Sequence, residues 1–289
     1  MSAFNSVGVF AHPLRPQSAP VAEHIAASLR ERKIAVKLHT EWDDASIRQH
    51  IDGLDLVVAI GGDGAMLRAA RVCAAYDVPV LGVNMGRLGF LTEVSDPGRW
   101  EQALDALLRG DYWIEQRMML HTWVEHEGER WCSAEALNDV VISRVAITRM
   151  VQLETYIDGG WTTTYNADAV IIATATGSTA YALACGGPIL PPELRNILVV
   201  PVAPHLSLDR PIVLQEGASV MTVVRSNTEC ALAADGVPVC ELSQGDRVTT
   251  QASDRIARFV RLRERSYFYR SLLDRLEPRL PVRAEPQRK

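Results

Sequence analysis

An aspartate stands between glycines at Gly61-Gly62-Asp63-Gly64, directly after the apolar run Leu54 to Ile60. A glycine-rich turn from a buried strand into a helix exposes backbone N–H groups to a phosphate. A carboxylate in that turn repels the phosphate unless the chemistry needs it. Asp63 therefore reads in two ways. It is the N-cap of the following helix, a task asparagine does as well, or it is a working carboxylate. As a working group it is either a ligand of Mg²⁺ or a base that takes a proton from an attacking hydroxyl. Arg68, one turn along that helix, is either a solvated surface arginine or a second contact to the same ligand.

Two further stretches carry polar groups where apolar ones are expected. Asn138-Asp139 opens the otherwise apolar strand V-V-I-S. A turn explains the pair in isolation, and an amide beside a carboxylate also suits vicinal ribose hydroxyls or an adenine edge. The run A-T-A-T-G-S-T-A-Y-A-L-A-C-G-G-P-I-L (Ala173 to Leu190) leads a buried strand into a helix of very small residues. Its hydroxyls and free amides make an anion and hydroxyl site, and Tyr181 adds a ring. Plain capping is the alternative, weakened by the length of the glycine- and hydroxyl-rich stretch.

The elements that must position these groups follow from periodicity. Val7–Phe10, Ile34–Leu38, Leu54–Ile60 and Pro79–Val83 read as strands, and 18–32, 65–76 and 96–108 as helices. Their alternation predicts a parallel, Rossmann-like sheet covered on both sides, with ligands at the strands' C-terminal ends. From about Asp111 short strands and turns such as Asp158-Gly159-Gly160 and Asp235-Gly236 predict a largely antiparallel region. One helical piece, Ser178 to Ala184, interrupts it. The expected fold class is an α/β N-terminal Rossmann-like domain (1–110) plus a β-rich, largely antiparallel C-terminal domain (111–264). A helix within 265–278 packs back on the first domain, and 279–289 is a tail.

Composition bounds the partners. The 289 residues are 47% hydrophobic and 22% charged, with net charge −5, which argues against nucleic-acid binding through a basic surface. No apolar run approaches a membrane span, and no signal-peptide pattern opens the chain. Five cysteines without C-x-x-C fit a reduced, cytoplasmic setting. With a turn centred at Asp235-Gly236, Cys230 would face Glu241 and Cys240 Ala231, sending the two thiols to opposite faces. Histidine spacing suggests no zinc site, and no metal-ligating set is assigned. Lysine occurs only at 33, 37 and 289, so a Walker-type loop is excluded and phosphates must be held by amides, arginine or a metal ion.

In order along the chain, G-G-D-G at 61–64, N-M-G-R-L-G-F-L-T-E at 84–93, L-N-D at 137–139, T-G-S-T-A-Y…G-G-P-I-L at 176–190, V-P-V-A-P-H…R-P-I-V at 200–213 and the Asp235-Gly236 hairpin resemble the NAD kinase family. The resemblance implies ATP-dependent phosphorylation of the adenosine 2′-hydroxyl of NAD, with a divalent metal, in a homo-oligomer. It implies Asp63 as the catalytic aspartate. Implied NAD contacts are Asp63, Gly64, Arg68, Asn138, Asp139, Arg149, Asn166, Asp168, Thr179, Ala180, Tyr181, Ala182, Leu183, Ala184 and Ala203, with Phe90 at the adenine end.

The sequence departs from the family pattern at several positions. Ala65 and Ala175 replace a polar residue and a proline, and Asp139 is shorter than the commoner glutamate. Asn166 stands where a basic residue is frequent, Ala169 where glycine is, and Val237 where glutamine is. None removes a group the chemistry requires. Two other readings compete. One is a lipid or sugar kinase sharing G-G-D-G, which should show an apolar groove or basic membrane-facing patch. The other is a catalytically silent NAD-binding sensor, which would have no use for Asp63.

Overall fold

An unbroken apolar strand can be buried on both faces only under helices on each side, and the computed structural model places the first, third and fourth strands there, with the second at the partly exposed edge. It describes residues 4–12, 14–40, 50–86, 89–146, 149–269 and 272. β1 (Ser6–Phe10), β2 (Ala35–His39), β3 (Leu56–Gly61) and β4 (Val80–Asn84) pair in parallel in the order β2-β1-β3-β4. Alternate residues serve opposite faces. Val57, Ala59 and Val80 pack on α2 (Asp63–Ala74), through Met66, Ala69, Ala70 and Cys73. Val58, Ile60 and Leu81 pack on α1 (Ser18–Glu31), through Ile25 and Leu29, and on α3 (Trp100–Arg109), through Trp100, Leu104 and Leu107.

The second part of the chain supplies β5 (Trp113–His126), β6 (Glu129–Ala136), β7 (Asp139–Arg144), β8 (Val151–Ile157), β9 (Gly160–Ala167), β10 (Ala169–Thr174), β11 (Asn196–Val202), β12 (Ile212–Gln215), β13 (Val220–Val224), β14 (Cys230–Ala234), β15 (Val237–Leu242) and β16 (Arg247–Arg261). The parallel sheet continues through β16, β13, β8 and β9, with β5 joining β16 to β6. The junction with β4 is one parallel pair, Phe259 opposite Val80. The second sheet runs β12-β11-β10-β7-β14-β15, entirely antiparallel. The two sheets close on a shared core that includes Leu120, Ile142, Val170, Val199 and Val248. The expected fold class is what the chain adopts, an α/β N-terminal part and a largely antiparallel C-terminal one.

Two local expectations change. A bulge between Leu232 and Ala233 shifts the β14–β15 register, so Cys230 opposes Leu242 and Cys240 opposes Leu232. Cys230 and Cys240 therefore serve one face, with both side chains on the shared core, because one extra residue inverts the alternation that a regular hairpin would impose. The piece expected as one helix at Ser178–Ala184 is a 3₁₀ turn (Gly177–Thr179) followed by a single α turn, α4 (Tyr181–Ala184). The last helix is described only at its start. There Tyr267 hydrogen-bonds Glu115 and Arg117 of β5, and Phe268 lies 6.5 Å from Phe90 ring to ring. Most of that helix and the tail lie outside the described residues. No helix among the described residues is long and apolar enough to cross a membrane.

Candidate active site

β3 ends at Gly61, where a Cβ would fall 2.7 Å from that of Ala65 and 3.3 Å from His12. Gly62 is the N-cap of α2, and Asp63 is its first residue. The Asp63 carboxylate does not cap its own helix. It reaches across to the segment after β4, where Phe90 N–H donates to one oxygen at 2.7 Å and Leu91 N–H to the other at 3.0 Å. Gly89 makes the approach possible, since a Cβ there would sit 2.0 Å from Asp63 Oδ1. The capping reading therefore fails, and a pair of amides fixes the carboxylate instead.

The segment that carries those amides is itself held from the end of β16 and the residues just after it. Arg261 Nη1 donates to the Leu91 carbonyl at 2.9 Å and Arg263 Nη2 to that of Thr92 at 3.0 Å. Arg261 is completely buried, bonded to Glu115 and Glu93. Despite burial, which works the other way, the Arg117 and Arg261 guanidinium groups hold the Glu115 carboxyl down at about 2.

Asn138 and Asp139 form the corner that enters β7. The neighbouring turn after β10 locks onto this corner. Thr174 N–H donates to the Asn138 carbonyl and Thr174 Oγ1 to that of Leu137, at 2.9 and 2.6 Å. Gly177 lies so close that a Cβ would be 2.1 Å from the Asn138 oxygen. Asp63, Phe90, Leu91, Asn138, Thr176, Thr179 and Ala180 line one cavity of about 50 Å³. Among the described residues Thr176 Oγ1 is buried with no hydrogen-bond partner, and an orphaned hydroxyl lining such a cavity is free to bond a polar ligand atom. Thr176 belongs to the hydroxyl-rich run read from the sequence, whereas the Phe90 and Leu91 amides are site groups that residue types alone did not single out.

The Asp139 carboxylate accepts no hydrogen bond from the described residues. Burial first, then the charge of Asp235, raises it to about 6. The folded chain thus keeps a proton that the unfolded chain releases above about 3.8. Stability is expected to fall as pH rises through that window and to level off above it. Asp139→Asn should remove the slope and raise neutral-pH stability by up to ~3 kcal/mol. Thermal melts of the two proteins should converge near the acid end of the window. Parallel curves from acid to neutral pH would show that Asp139 is not the titrating group.

The remaining residues fall into two groups. Gly64 and Arg68 line a cavity of about 310 Å³ beside Leu67, Arg71, Asp235 and Val237, next to Asp63. Ala182 is buried under the second sheet, while Tyr181 is 45% exposed, with Leu183 and Ala184 completing the turn. At the far end of β10, Asp168 takes a bidentate pair of hydrogen bonds from Arg144, at 2.7 and 3.1 Å. Asn166 accepts from His205 N–H there, Ala203 adopts a positive φ of 47°, and Arg149 is exposed. Asp139 and Asp168 are five strand positions apart, on the order of 17 Å. The Tyr181 hydroxyl has its pKa raised by burial and then by Cys185, Asp168 and Asp139.

Residues 16–112 match the family model described as the ATP-NAD kinase N-terminal domain, and residues 137–262 that of the ATP-NAD kinase C-terminal domain. Among curated relatives, the NAD kinase of Heliobacterium modesticaldum is 38% identical over 273 residues, covering 91% of this chain and 95% of that one. The NAD kinase of Chloroflexus aurantiacus is 38% identical over 270 residues, covering 93% and 98%. Two solved structures share the fold at 22% identity. Yeast NADH kinase complexed with NADH has a TM-score of 0.82, covering 95% of this chain and 90% of that one. An NAD kinase from Archaeoglobus fulgidus in complex with ATP has a TM-score of 0.71, covering 93% and 97%.

Proposed function

The chain belongs to the NAD kinase family, enzymes that phosphorylate NAD at the expense of ATP, and we propose that Asp63 and the Asn138–Asp139 corner divide this chemistry between them. The observation that carries the reading is the Asp63 carboxylate, fixed by two amides on the wall of the cavity that Asn138 and the unpartnered Thr176 hydroxyl share. Asn138 and Asp139 grip the adenosine ribose, and Asp63 receives its 2′-hydroxyl. Each carboxylate oxygen keeps a second lone pair for that purpose. As the 2′-oxygen bonds to the γ-phosphorus of ATP, the bond to the β–γ bridging oxygen breaks. ADP leaves, and the hydroxyl proton passes to Asp63. Gly64 and Arg68 face the phosphates, with the N-terminus of α2 adding partial positive charge.

Among the described residues no cluster of three His, Cys, Asp or Glu could hold a metal. A divalent ion, Mg²⁺ in our reading, then enters as part of the donor, carried mainly by phosphate oxygens and water. We assign Thr179 to Ala184, Asn166, Asp168, Ala203 and Arg149 to further contacts with the dinucleotide, and the assembly to a homo-oligomer. Trp161, 63% exposed on the outer edge strand β9, supports self-association. Five free thiols support a cytoplasmic setting.

Incubation of the purified protein with NAD, ATP and Mg²⁺ is expected to yield NADP; transfer to a lipid or sugar instead would sink the assignment. Asn138→Ala is expected to weaken NAD binding by ~1–3 kcal/mol while KM for ATP changes little. Titration calorimetry with NAD measures this directly, and unchanged affinity in Asn138→Ala combined with Asp139→Ala would move the site elsewhere.

A further inference from the structure

The tip of the β14–β15 hairpin carries a carboxylate that the reaction itself does not use. Asp235 adopts φ 50° and Gly236 φ 74°, and the turn points the Asp235 side chain inward, where only 2% of it is exposed. It accepts from three successive backbone amides: Leu137 N–H at 3.0 Å, Asn138 N–H at 2.7 Å and Asp139 N–H at 3.3 Å. Its own N–H returns a bond of 2.9 Å to the Asp139 carbonyl. The Arg71 guanidinium of α2 lies 3.9 Å from its Oδ2. One carboxylate thus touches the corner that presents Asn138 and Asp139 and also the helix that Asp63 begins.

We propose that Asp235 is a positioning residue, fixing the Asn138–Asp139 corner relative to α2 so that bound ribose meets Asp63. This rests on the placement of NAD at Asn138. Holding a charged acceptor against three amides is a strong, directional restraint. Its burial beside Asp139 works against the ionised forms of both groups, since burial raises the pKa of each. A turn that needed only a left-handed residue would be served by asparagine or glycine. The three amides and Arg71 explain why a carboxylate stands here instead. The side chain touches no reacting atom, so its effect must pass through the corner.

The test is a double-mutant cycle between Asp235→Gly and Asn138→Ala, with KM for NAD, KM for ATP and kcat measured for each enzyme. Glycine keeps the left-handed turn and removes only the carboxylate. Asp235→Gly is expected to raise KM for NAD about tenfold and to lower kcat, while KM for ATP stays within about twofold. In the double variant the two effects should overlap rather than add. Asp235→Asn keeps the turn and one acceptor and should fall between glycine and wild type; it carries the same cycle if the glycine variant does not fold. A normal KM for NAD in Asp235→Gly, or strict additivity, overturns the positioning role while leaving the NAD site in place. No response to Asn138→Ala alone overturns the site and the positioning role together.

Discussion

Asp63→Asn is expected to lower turnover ~10²–10⁴-fold while NAD affinity changes little. A ribose hydroxyl is a poor nucleophile at neutral pH, and phosphoryl transfer depends on in-line positioning and charge neutralisation more than on covalent chemistry by the protein. In the proposed reaction the carboxylate orients the hydroxyl and takes its proton as the new bond forms. The structure adds a second consequence. Both Asp63 oxygens already accept backbone N–H groups. Asparagine must turn its NH₂ toward one of them, so the variant should also lose about 1–3 kcal/mol of stability. A helix cap would have tolerated the change. Turnover of NADP formation, calorimetric NAD affinity and a thermal melt separate the two effects, and near-normal turnover would reduce Asp63 to a structural strut.

Arg261→Ala should cost about 3–5 kcal/mol of stability, the expected result of removing the buried cation that two buried carboxylates share. Arg261 is fully buried and shared between Glu93 and Glu115. Its loss leaves Glu115 with Arg117 and Glu93 with Arg263 as their remaining cations, and frees the Leu91 carbonyl. In wild type the depressed Glu115 makes a stabilising contribution that is complete above its ordinary value of about 4.5 and lost as pH falls toward about 2. The variant should lack much of that acid-side slope. Denaturant unfolding at neutral and acid pH measures both, and an unchanged midpoint would show that Arg117 and Arg263 suffice for Glu115 and Glu93. Catalysis should suffer as well, because the segment that aims Asp63 loses its anchor.

Much of this was legible in the residues themselves. Unbroken apolar strands, amphipathic helices and glycine-bearing turns gave the parallel sheet and the β-rich region. The G-G-D-G turn and the N-D pair, polar where neighbours are apolar, gave Asp63, Asn138 and Asp139. What stayed hidden depends on partners distant in sequence. Nothing local says that Asp63 turns from its own helix to Phe90 and Leu91, or that Asp235 folds inward onto residues 137–139. The Cys230–Cys240 register failed for the related reason that a bulge has no signature in the alternation it interrupts. The separation of Asp168 from Asp139 along β10 likewise follows from strand pairing and not from either motif.

The wiring of β16 also orders events in time. The Leu91 carbonyl and its Arg261 donor are 170 residues apart in sequence, and β16 joins the parallel sheet through a single pair with β4. A growing polypeptide therefore exposes the glycine turn and its carboxylate long before the strand that aims them has been synthesised. Contacts of such long range close late, because chain entropy must be surrendered before they form. If Asp63 acts as proposed, a nascent chain lacking β16 should be silent, and phosphoryl transfer should begin only once that strand docks.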